Sequence, residues 1–333
     1  MLSPARTWFL LLALGAGGVL LAIGVSVAAA RMLPAGTFGP MWAPEIVKVD
    51  VHQHVLPNTV PEAVRLARAH GIEVIVNLQG GTADGGLRGQ LEAASAASGH
   101  VLVFAQVDPA GCCDAAWTAR EVARARDAKD LGARGLSVTH AFSPAVADPA
   151  TGPLWEECAS LGLPVLVHVE DREAFAAAAL RHSATTFIGA HFAGAANDPE
   201  WLSRLLDRAP NLHVDTAARL PDLGRDAASI RALLLAHPDR VLFGTDLQYV
   251  EAGELKAVVF GAGMPGGREE MLRFFDGTWR FFETRDTAIP SPTPATGTHG
   301  LEGLGLPRSV LEKVYRDNAM RLLGLQAIAR DAP

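Results

Sequence analysis

The sequence is poor in the features that mark several common classes of protein. Four of its 333 residues are lysine, no Lys/Arg-rich run occurs and the net charge is −7, so a nucleic-acid partner is not expected. Three cysteines without a Cys-x-x-Cys spacing exclude a disulfide framework and a thiolate metal site, and we expect them to be thiols. Gly-x-Ser-x-Gly is absent and no Gly-x-Gly-x-x-Gly follows the first predicted strand, so neither a serine nucleophile nor a dinucleotide site is supported.

The chain begins with a long uncharged run that is distinct from the remainder. It extends from Trp8 to Ala30 and ends in three alanines, which a signal peptidase accepts, but it is also long enough to cross a bilayer. We therefore expect residues 1–31 to be a signal peptide or a membrane anchor, followed by a Pro/Gly-rich linker over 32–45. Both alternatives predict an exported protein (periplasmic, secreted or anchored outside the cytoplasm) that meets a membrane only through an uncleaved segment.

The remaining chain alternates short apolar runs with longer stretches of helical periodicity. Apolar residues make up 49% of the sequence, which is enough for a sizeable core. The predicted strands are Ile46–Val51, Glu73–Leu78, Val101–Val107, Ala133–Val138, Pro164–Val169, Thr186–Ala190, Leu212–Asp215 and Arg240–Gly244. Most are near-continuous Val, Ile, Leu or Phe, as strands covered on both faces should be. The pattern predicts an α/β fold, a (β/α)8 TIM barrel over 46–333, with a doubly wound open sheet as the alternative.

Helical periodicity is clearest between the later strands, and it stops after the eighth. The predicted helices are Pro61–His70, Asp171–His182, Pro199–Ala209 and Ala227–Ala236. Beyond the eighth strand we expect a long irregular insertion containing a proline-rich loop, and then a terminal helix over Leu306–Leu325.

Residues with metal chemistry stand at the ends of four predicted strands. His52 and His54 are two apart on the first strand, so they share a face. His168 ends the fifth strand, His191 follows the sixth and Asp246 follows the eighth. Because the strands of a parallel barrel open on one rim, where active sites lie, we expect these five side chains to converge on a small-molecule site.

The same residues, in the same order, resemble the amidohydrolase superfamily, within it the branch that includes aminocarboxymuconate-semialdehyde decarboxylase. The matching segments are Val49–His54, Gly132–Leu136, Asn211–Asp215, Phe243–Asp246 and Asn318–Gly324. The resemblance implies a barrel whose metal is bound by His52, His54, His168 and Asp246. It also implies that His191 lies beside the metal and either polarises the substrate or handles a proton.

One departure from the superfamily bears on the number of metal ions. Members with two metals carry a bridging, carbamylated lysine at the end of the fourth strand, whereas the matching position here is Ser137. We therefore expect one divalent ion. Three imidazoles, one carboxylate and an open position for water suit Zn²⁺, with iron or manganese as alternatives.

Three functions remain open on this basis. The first is a metal-dependent hydrolase, in which a metal-activated water attacks an amide, ester or lactone carbonyl, Asp246 takes the proton and His191 helps to polarise the carbonyl. The second is a metal-dependent, non-oxidative decarboxylase of the same branch. The third is a non-catalytic barrel that binds a ligand at its rim.

Other side chains are weaker candidates for the site. Glu170 is interpreted as a helix-start acid or substrate contact rather than a ligand, and His140 as a loop histidine. Arg219 is interpreted as an exposed loop residue rather than a clamp for a carboxylate. The aromatic residues of the insertion are expected to pack it down rather than to line the pocket; they are Trp279, Phe281 and Phe282.

Overall fold

The computed structural model describes residues 45–249, 257–259, 268–294 and 297–326. The predicted signal or anchor segment (1–31) lies outside the described residues, as does all but the last residue of the predicted linker. Among the helices that the structure describes, none combines the length and the apolar character that a bilayer crossing requires.

The eight predicted strands form a continuous sheet together with two further strands, Leu247–Tyr249 and Ala257–Val259, that were not predicted. The strands are β1 Lys48–His54, β2 Ile72–Asn77, β3 Val101–Gln106, β4 Gly135–Val138, β5 Val165–Val167, β6 Phe187–Gly189, β7 Leu212–Asp215, β8 Val241–Leu242, β9 Leu247–Tyr249 and β10 Ala257–Val259. Their order is β10-β9-β1-β2-β3-β4-β5-β6-β7-β8, with every neighbouring pair parallel except the antiparallel pair β9–β10.

Backbone hydrogen bonds close this sheet into a barrel. The Val51 N–H donates to the Phe243 carbonyl over 3.0 Å, and the Asp246 N–H donates to the His52 carbonyl over 2.8 Å. Strand β9, which resumes the path of β8 after a break, then pairs with the end of β1 at Gln53. The predicted (β/α)8 barrel is thereby confirmed.

Helices follow the strands and cover the outside of the barrel. They are α1 Val60–Ala69, α2 Leu87–Ser95, α3 Ala115–Leu131, α4 Gly152–Leu161, α5 Arg172–Arg181, α6 Pro199–Arg208, α7 Ala227–Ala236 and α8 Arg268–Glu283. The terminal helix consists of Arg308–Glu312, a π-helical turn at Lys313–Asp317, and Asn318–Leu323. The prediction of an irregular insertion is wrong for α8, a regular helix that lies within it.

Two apolar clusters hold the barrel together. The smaller one joins Val49 of β1 to Leu166 of β5 and Ile188 of β6, strands on different sides of the barrel, so it fills the interior. Ala319 and Leu323 of the terminal helix belong to the same cluster. The larger cluster lies between the strands and the covering helices. Strands buried on both faces explain the near-continuous apolar runs of the sequence.

The aromatic residues of α8 belong to the core, as predicted. Trp279, Phe281 and Phe282 are buried. The Trp279 ring lies 5.3 Å from that of Phe243 and 5.6 Å from that of Tyr315, so these residues anchor α8 to the barrel.

The cysteines differ in part from the prediction of thiols. Cys158 is free and buried in α4. Cys112 and Cys113, which are neighbours in the sequence, are instead joined in a disulfide, so the prediction is wrong for that pair.

Candidate metal centre

Four histidine rings from three strand ends meet at one mouth of the barrel. The centroid of the His52 ring lies 5.3 Å from that of His54, 5.0 Å from that of His168 and 4.8 Å from that of His191. All but His54 are buried, and His54 is half-buried at the edge of a cavity. The convergence expected from the strand ends therefore occurs in the structure.

Asp246 completes the group from the break after β8. One of its carboxylate oxygens, Oδ1, lies 3.4 Å from His52 Nε2 and 3.2 Å from His54 Nε2. His52 Nε2 and both oxygens of Asp246 are buried and make no hydrogen bond to a described residue. His52, His54 and His168 each offer one ring nitrogen, and these three nitrogens lie within 4.8 Å of one another. Buried polar atoms without partners are costly, so this donor set fits a divalent cation.

The neighbouring backbone fixes which nitrogen of the other rings faces the centre. His168 Nδ1 lies 3.0 Å from the carbonyl oxygen of Val138, and His191 Nδ1 lies 3.1 Å from that of Ala217. In a neutral ring Nδ1 must then carry the proton and donate it, which leaves the lone pair on Nε2. Both rings consequently present an electron-pair donor to the cluster.

Asp215 orients the cluster from behind, a role that the sequence analysis did not assign. Its Oδ2 accepts a hydrogen bond from His52 Nδ1 over 2.8 Å, and its Oδ1 accepts from the backbone N–H groups of His191 (2.8 Å) and Ala217 (3.1 Å). Asp215 is fully buried at the end of β7. The position at a strand end, which identified His168, was the signal that could have found it.

A second buried carboxylate ties β1 to the segment that carries Asp246. Asp50 Oδ1 accepts from the N–H groups of His52 and Thr245, each over 3.1 Å, and Oδ2 accepts from Gln53 Nε2 over 2.7 Å. Burial raises the pKa of Asp50 to about 6, although these hydrogen bonds act in the opposite direction. Asp50 therefore holds the segments that carry His52 and Asp246 in register.

The charges within the cluster compensate one another. Burial alone would lower the pKa of His52, but Asp215 and Asp246 outweigh it and raise that pKa to about 10. Burial likewise favours the neutral form of Asp246, but the charges of His52 and His191 hold its pKa far below the ordinary value. Burial, with a contribution from His52, lowers the pKa of His191 to about 4. The two buried carboxylates thus require a positive charge between them, which a bound cation would also provide.

His140 lies at the site, so its interpretation as a loop histidine is wrong. It begins a short 3-10 helix, His140–Ala145, after β4, and its ring centroid lies 4.8 Å from that of His168 and 6.0 Å from that of His191. Its Nδ1 lies 2.5 Å from Glu170 Oε1. Glu170 is 56% exposed, and in this contact it supports a ring rather than facing His52.

A cavity of about 250 Å³ opens beside the histidines. Its lining consists of His54, Leu78, Gln79, Gln106, Ser137, Thr139, His140, His168 and Gln248. Ser137, which the resemblance matches to the bridging lysine of two-metal members, is thus part of the wall. Arg219 is absent from this lining and forms an ion pair with Asp222 over 3.5 Å, as expected for a loop residue.

Comparisons with known proteins identify the family. The family model described as amidohydrolase matches residues 49–325. No curated protein matches the chain. Among solved structures, the chain is similar to an uncharacterised TIM-barrel protein from Bordetella bronchiseptica (17% identity, TM-score 0.51, covering 84% of this chain and 98% of that one).

Two further structures are similar, both from Deinococcus radiodurans. One is a mutant of a PTE-like lactonase (14% identity, TM-score 0.52, covering 85% of this chain and 97% of that one). The other is a mutant of an organophosphorus hydrolase (13% identity, TM-score 0.52, covering 87% of this chain and 98% of that one). At these identities the likeness concerns the fold alone. The match of the family model over most of the barrel shows that the chain belongs to the amidohydrolase family.

Proposed function

We propose that this barrel is a metal-dependent hydrolase that cleaves an amide, ester or lactone with a metal-activated water. Its one divalent cation, for which we favour Zn²⁺, would be held by His52, His54, His168 and Asp246. One observation carries the proposal. His52 Nε2 and both carboxylate oxygens of Asp246 are buried, adjacent and without hydrogen bonds to described residues.

The cation would supply Lewis acidity, which lowers the pKa of a water from 15.7 towards about 7. Side chains of the protein would carry out the proton transfers. Asp246 lies where it can accept a proton from that water and return it to the leaving group. His191, whose Nδ1 is engaged with the Ala217 carbonyl, offers its Nε2 lone pair. With this geometry His191 is better suited to accept a proton at Nε2 than to donate a hydrogen bond to the substrate carbonyl.

The proposed binding of a metal ion is supported by the orientation of the imidazole rings of His52 and His168. The Nδ1 atoms of His52 and His168 each lie close to an oxygen acceptor, at 2.8 and 3.0 Å. Partners of this kind fix the tautomer of a ligating histidine and raise its basicity. Imidazole nitrogens with a single carboxylate oxygen form a common catalytic zinc set, which favours Zn²⁺ over Mg²⁺ or Ca²⁺.

Metal content and turnover, measured together, test this proposal. We would purify the full chain, determine bound metals by elemental analysis, remove them with a chelator, and add back Zn²⁺, Mn²⁺ or Fe²⁺. Neutral esters, amides and lactones would be assayed for acid release, and β-keto and aromatic acids for carbon dioxide release. The variants are His52→Ala and the near-isosteric Asp246→Asn, with His182→Gln as control because His182 lies outside the cavity lining at the end of α5.

The expected result is about one ion per chain, hydrolysis that disappears with the metal, and loss of both in the two site variants but not in the control. Carbon dioxide release without hydrolysis would replace the proposal with the decarboxylase alternative. A folded, metal-loaded protein with neither activity would favour the binding-only barrel. Undiminished metal content in both site variants would show that the assigned ligands are wrong.

A further inference from the structure

Apart from three histidines and Leu78, the residues that line the cavity are polar and carry no formal charge. They combine three glutamine side chains with two hydroxyl groups, belonging to Gln79, Gln106, Gln248, Ser137 and Thr139. Among the lining residues that the structure describes, none is lysine or arginine. Such groups can donate and accept hydrogen bonds but cannot neutralise an anion.

Ser137 provides the most specific indication of a ligand. Its side chain is almost fully buried, at 1% exposure, and Oγ makes no hydrogen bond to a described residue. Ser137 lies on β4 between Gln106 of β3 and Leu166 of β5 in the sheet register. A buried hydroxyl without a partner is costly, and here it borders a cavity. At this position the hydroxyl group is available to a polar atom of a bound molecule.

Gln106 is held by Gly81 so that the NH₂ group of its side chain is available to a bound molecule. Its Oε1 accepts a hydrogen bond from the Gly81 N–H over 3.1 Å, and the Gln106 N–H donates to the Gly81 carbonyl over 2.8 Å. Because the carbonyl end of the side chain is engaged, the NH₂ end is the group that remains for a ligand. Gln106 therefore adds a neutral donor next to the Ser137 hydroxyl.

We infer that Ser137 and Gln106 form a subsite for an uncharged, hydrogen-bonding carbonyl compound that carries a hydroxyl near the carbonyl. The inference rests on the proposed function, because this is the same cavity. Ser137 exchanges hydrogen bonds with the ligand hydroxyl, and the Gln106 amide donates to a ligand oxygen. The cavity volume of about 250 Å³ restricts the occupant to a compact molecule, smaller than a drug-sized ligand.

A carboxylate is a poorer occupant of this subsite. Removing its hydration is costly unless a cation or several charge-assisted hydrogen bonds replace it, and the described wall offers neutral groups. The subsite thus selects against acids such as a decarboxylase would use.

Binding of three five-membered lactams tests this inference without requiring turnover. The probes are pyrrolidinone, its derivative with a hydroxyl on the carbon beside the carbonyl, and pyroglutamate, which carries a carboxylate. Their dissociation constants would be measured by ligand-observed NMR on the full chain, before and after addition of Zn²⁺. Ser137→Ala is the test variant, and Ser160→Ala makes the same change at an exposed position on α4.

We expect the hydroxylated lactam to bind the metal-free protein most tightly and pyroglutamate to bind it most weakly. Ser137→Ala should remove the advantage of the hydroxyl, about 3- to 10-fold, which is the effect of one uncharged hydrogen bond. Ser160→Ala should not change it, and elemental analysis should find the same metal content in all proteins. Tighter binding of pyroglutamate than of the neutral lactams to the metal-free protein, an unchanged hydroxyl advantage in Ser137→Ala, or no binding of either neutral lactam would overturn the inference. A metal-free protein that still shows the predicted order would refute the proposed function alone.

Discussion

Asp215 is the side chain on which the orientation of the histidine cluster depends most. It accepts hydrogen bonds from the His52 ring and from the backbone of the turn that carries His191. A carboxylate behind a ligating histidine fixes the ring and makes it a better ligand. One buried residue therefore positions groups from β1 and from the turn after β6.

Replacement of Asp215 by asparagine should weaken metal binding without removing a ligand. The amide keeps one acceptor for the backbone N–H groups but can place its NH₂ against His52 Nδ1, which would shift the ring proton to Nε2. We expect affinity for Zn²⁺ to fall by about 10- to 100-fold, as for other partners of ligating residues. Competition with a chromophoric chelator measures this directly. Asp222→Asn, a change at the ion pair with Arg219, is the control, and equal affinities in both variants would refute the positioning role.

At the scale of elements, the turn after β6 places His191 with an unusual backbone. His191, Phe192 and Ala193 have φ values of 57°, 61° and 53°, in the left-handed region that side chains rarely adopt. Gly189 precedes the turn, and a Cβ built there would lie 2.6 Å from Ala193 Cβ and 2.9 Å from Phe175. The strained turn thus packs against a position that only glycine fits.

Gly189→Ala should therefore displace this turn. Overpacking of a core typically costs about 1–3 kcal/mol of unfolding free energy, and we expect a loss in that range together with weaker zinc binding. Gly89→Ala is a matched control, because Gly89 is exposed in α2 with no atom near its added Cβ. That change should instead stabilise by about 0.5–1 kcal/mol. Urea unfolding measures both, and no loss for Gly189→Ala would contradict the packing account.

The periodicity of the sequence predicts most elements of the fold. Near-continuous apolar runs located eight strands because both faces of each strand are covered. Helix α8 was missed, although its buried residues Met271, Phe274, Thr278 and Phe281 recur at three- and four-residue spacing. Nearby glycines and prolines made the whole segment resemble a loop. The left-handed turn at His191 has no local signal, because tertiary contacts maintain it.

At the scale of the whole molecule, the site exists only once the barrel is closed. His52 and Asp215 are 163 residues apart in sequence and 2.8 Å apart in space. The rule that strand ends share one rim predicts such convergence in general. It does not predict register, so it could not pair His52 with Asp215 or place His140 beside His168. The neutral cavity wall likewise combines residues of β3, β4 and β9 with residues that follow β2 and β4.

Global stability should depend on pH through His213 of β7. Burial, with Arg240 and Arg321 nearby, lowers the pKa of His213 to about 3, and its Nδ1 is buried without a hydrogen bond to a described residue. The unfolded chain takes up this proton near pH 6.5 and the folded protein only near 3, so stability falls as the pH decreases through that interval. From about pH 7 to pH 5 this histidine should account for about 2 kcal/mol of the loss.

His213→Gln should remove the part of the acid-induced loss of unfolding free energy that protonation of His213 causes. Urea unfolding at the two pH values should give a loss of free energy about 2 kcal/mol smaller for the variant than for the parent protein. Parallel losses would mean that His213 is protonated equally in both states.

Anomalous diffraction at the zinc absorption edge, from crystals of the zinc-loaded full chain, tests the central claim most directly. We expect one peak per chain, about 2.0–2.2 Å from the Nε2 atoms of His52, His54 and His168 and from an oxygen of Asp246. No peak at this position, or a peak coordinated by other side chains, would contradict the metal centre on which the proposed hydrolysis depends.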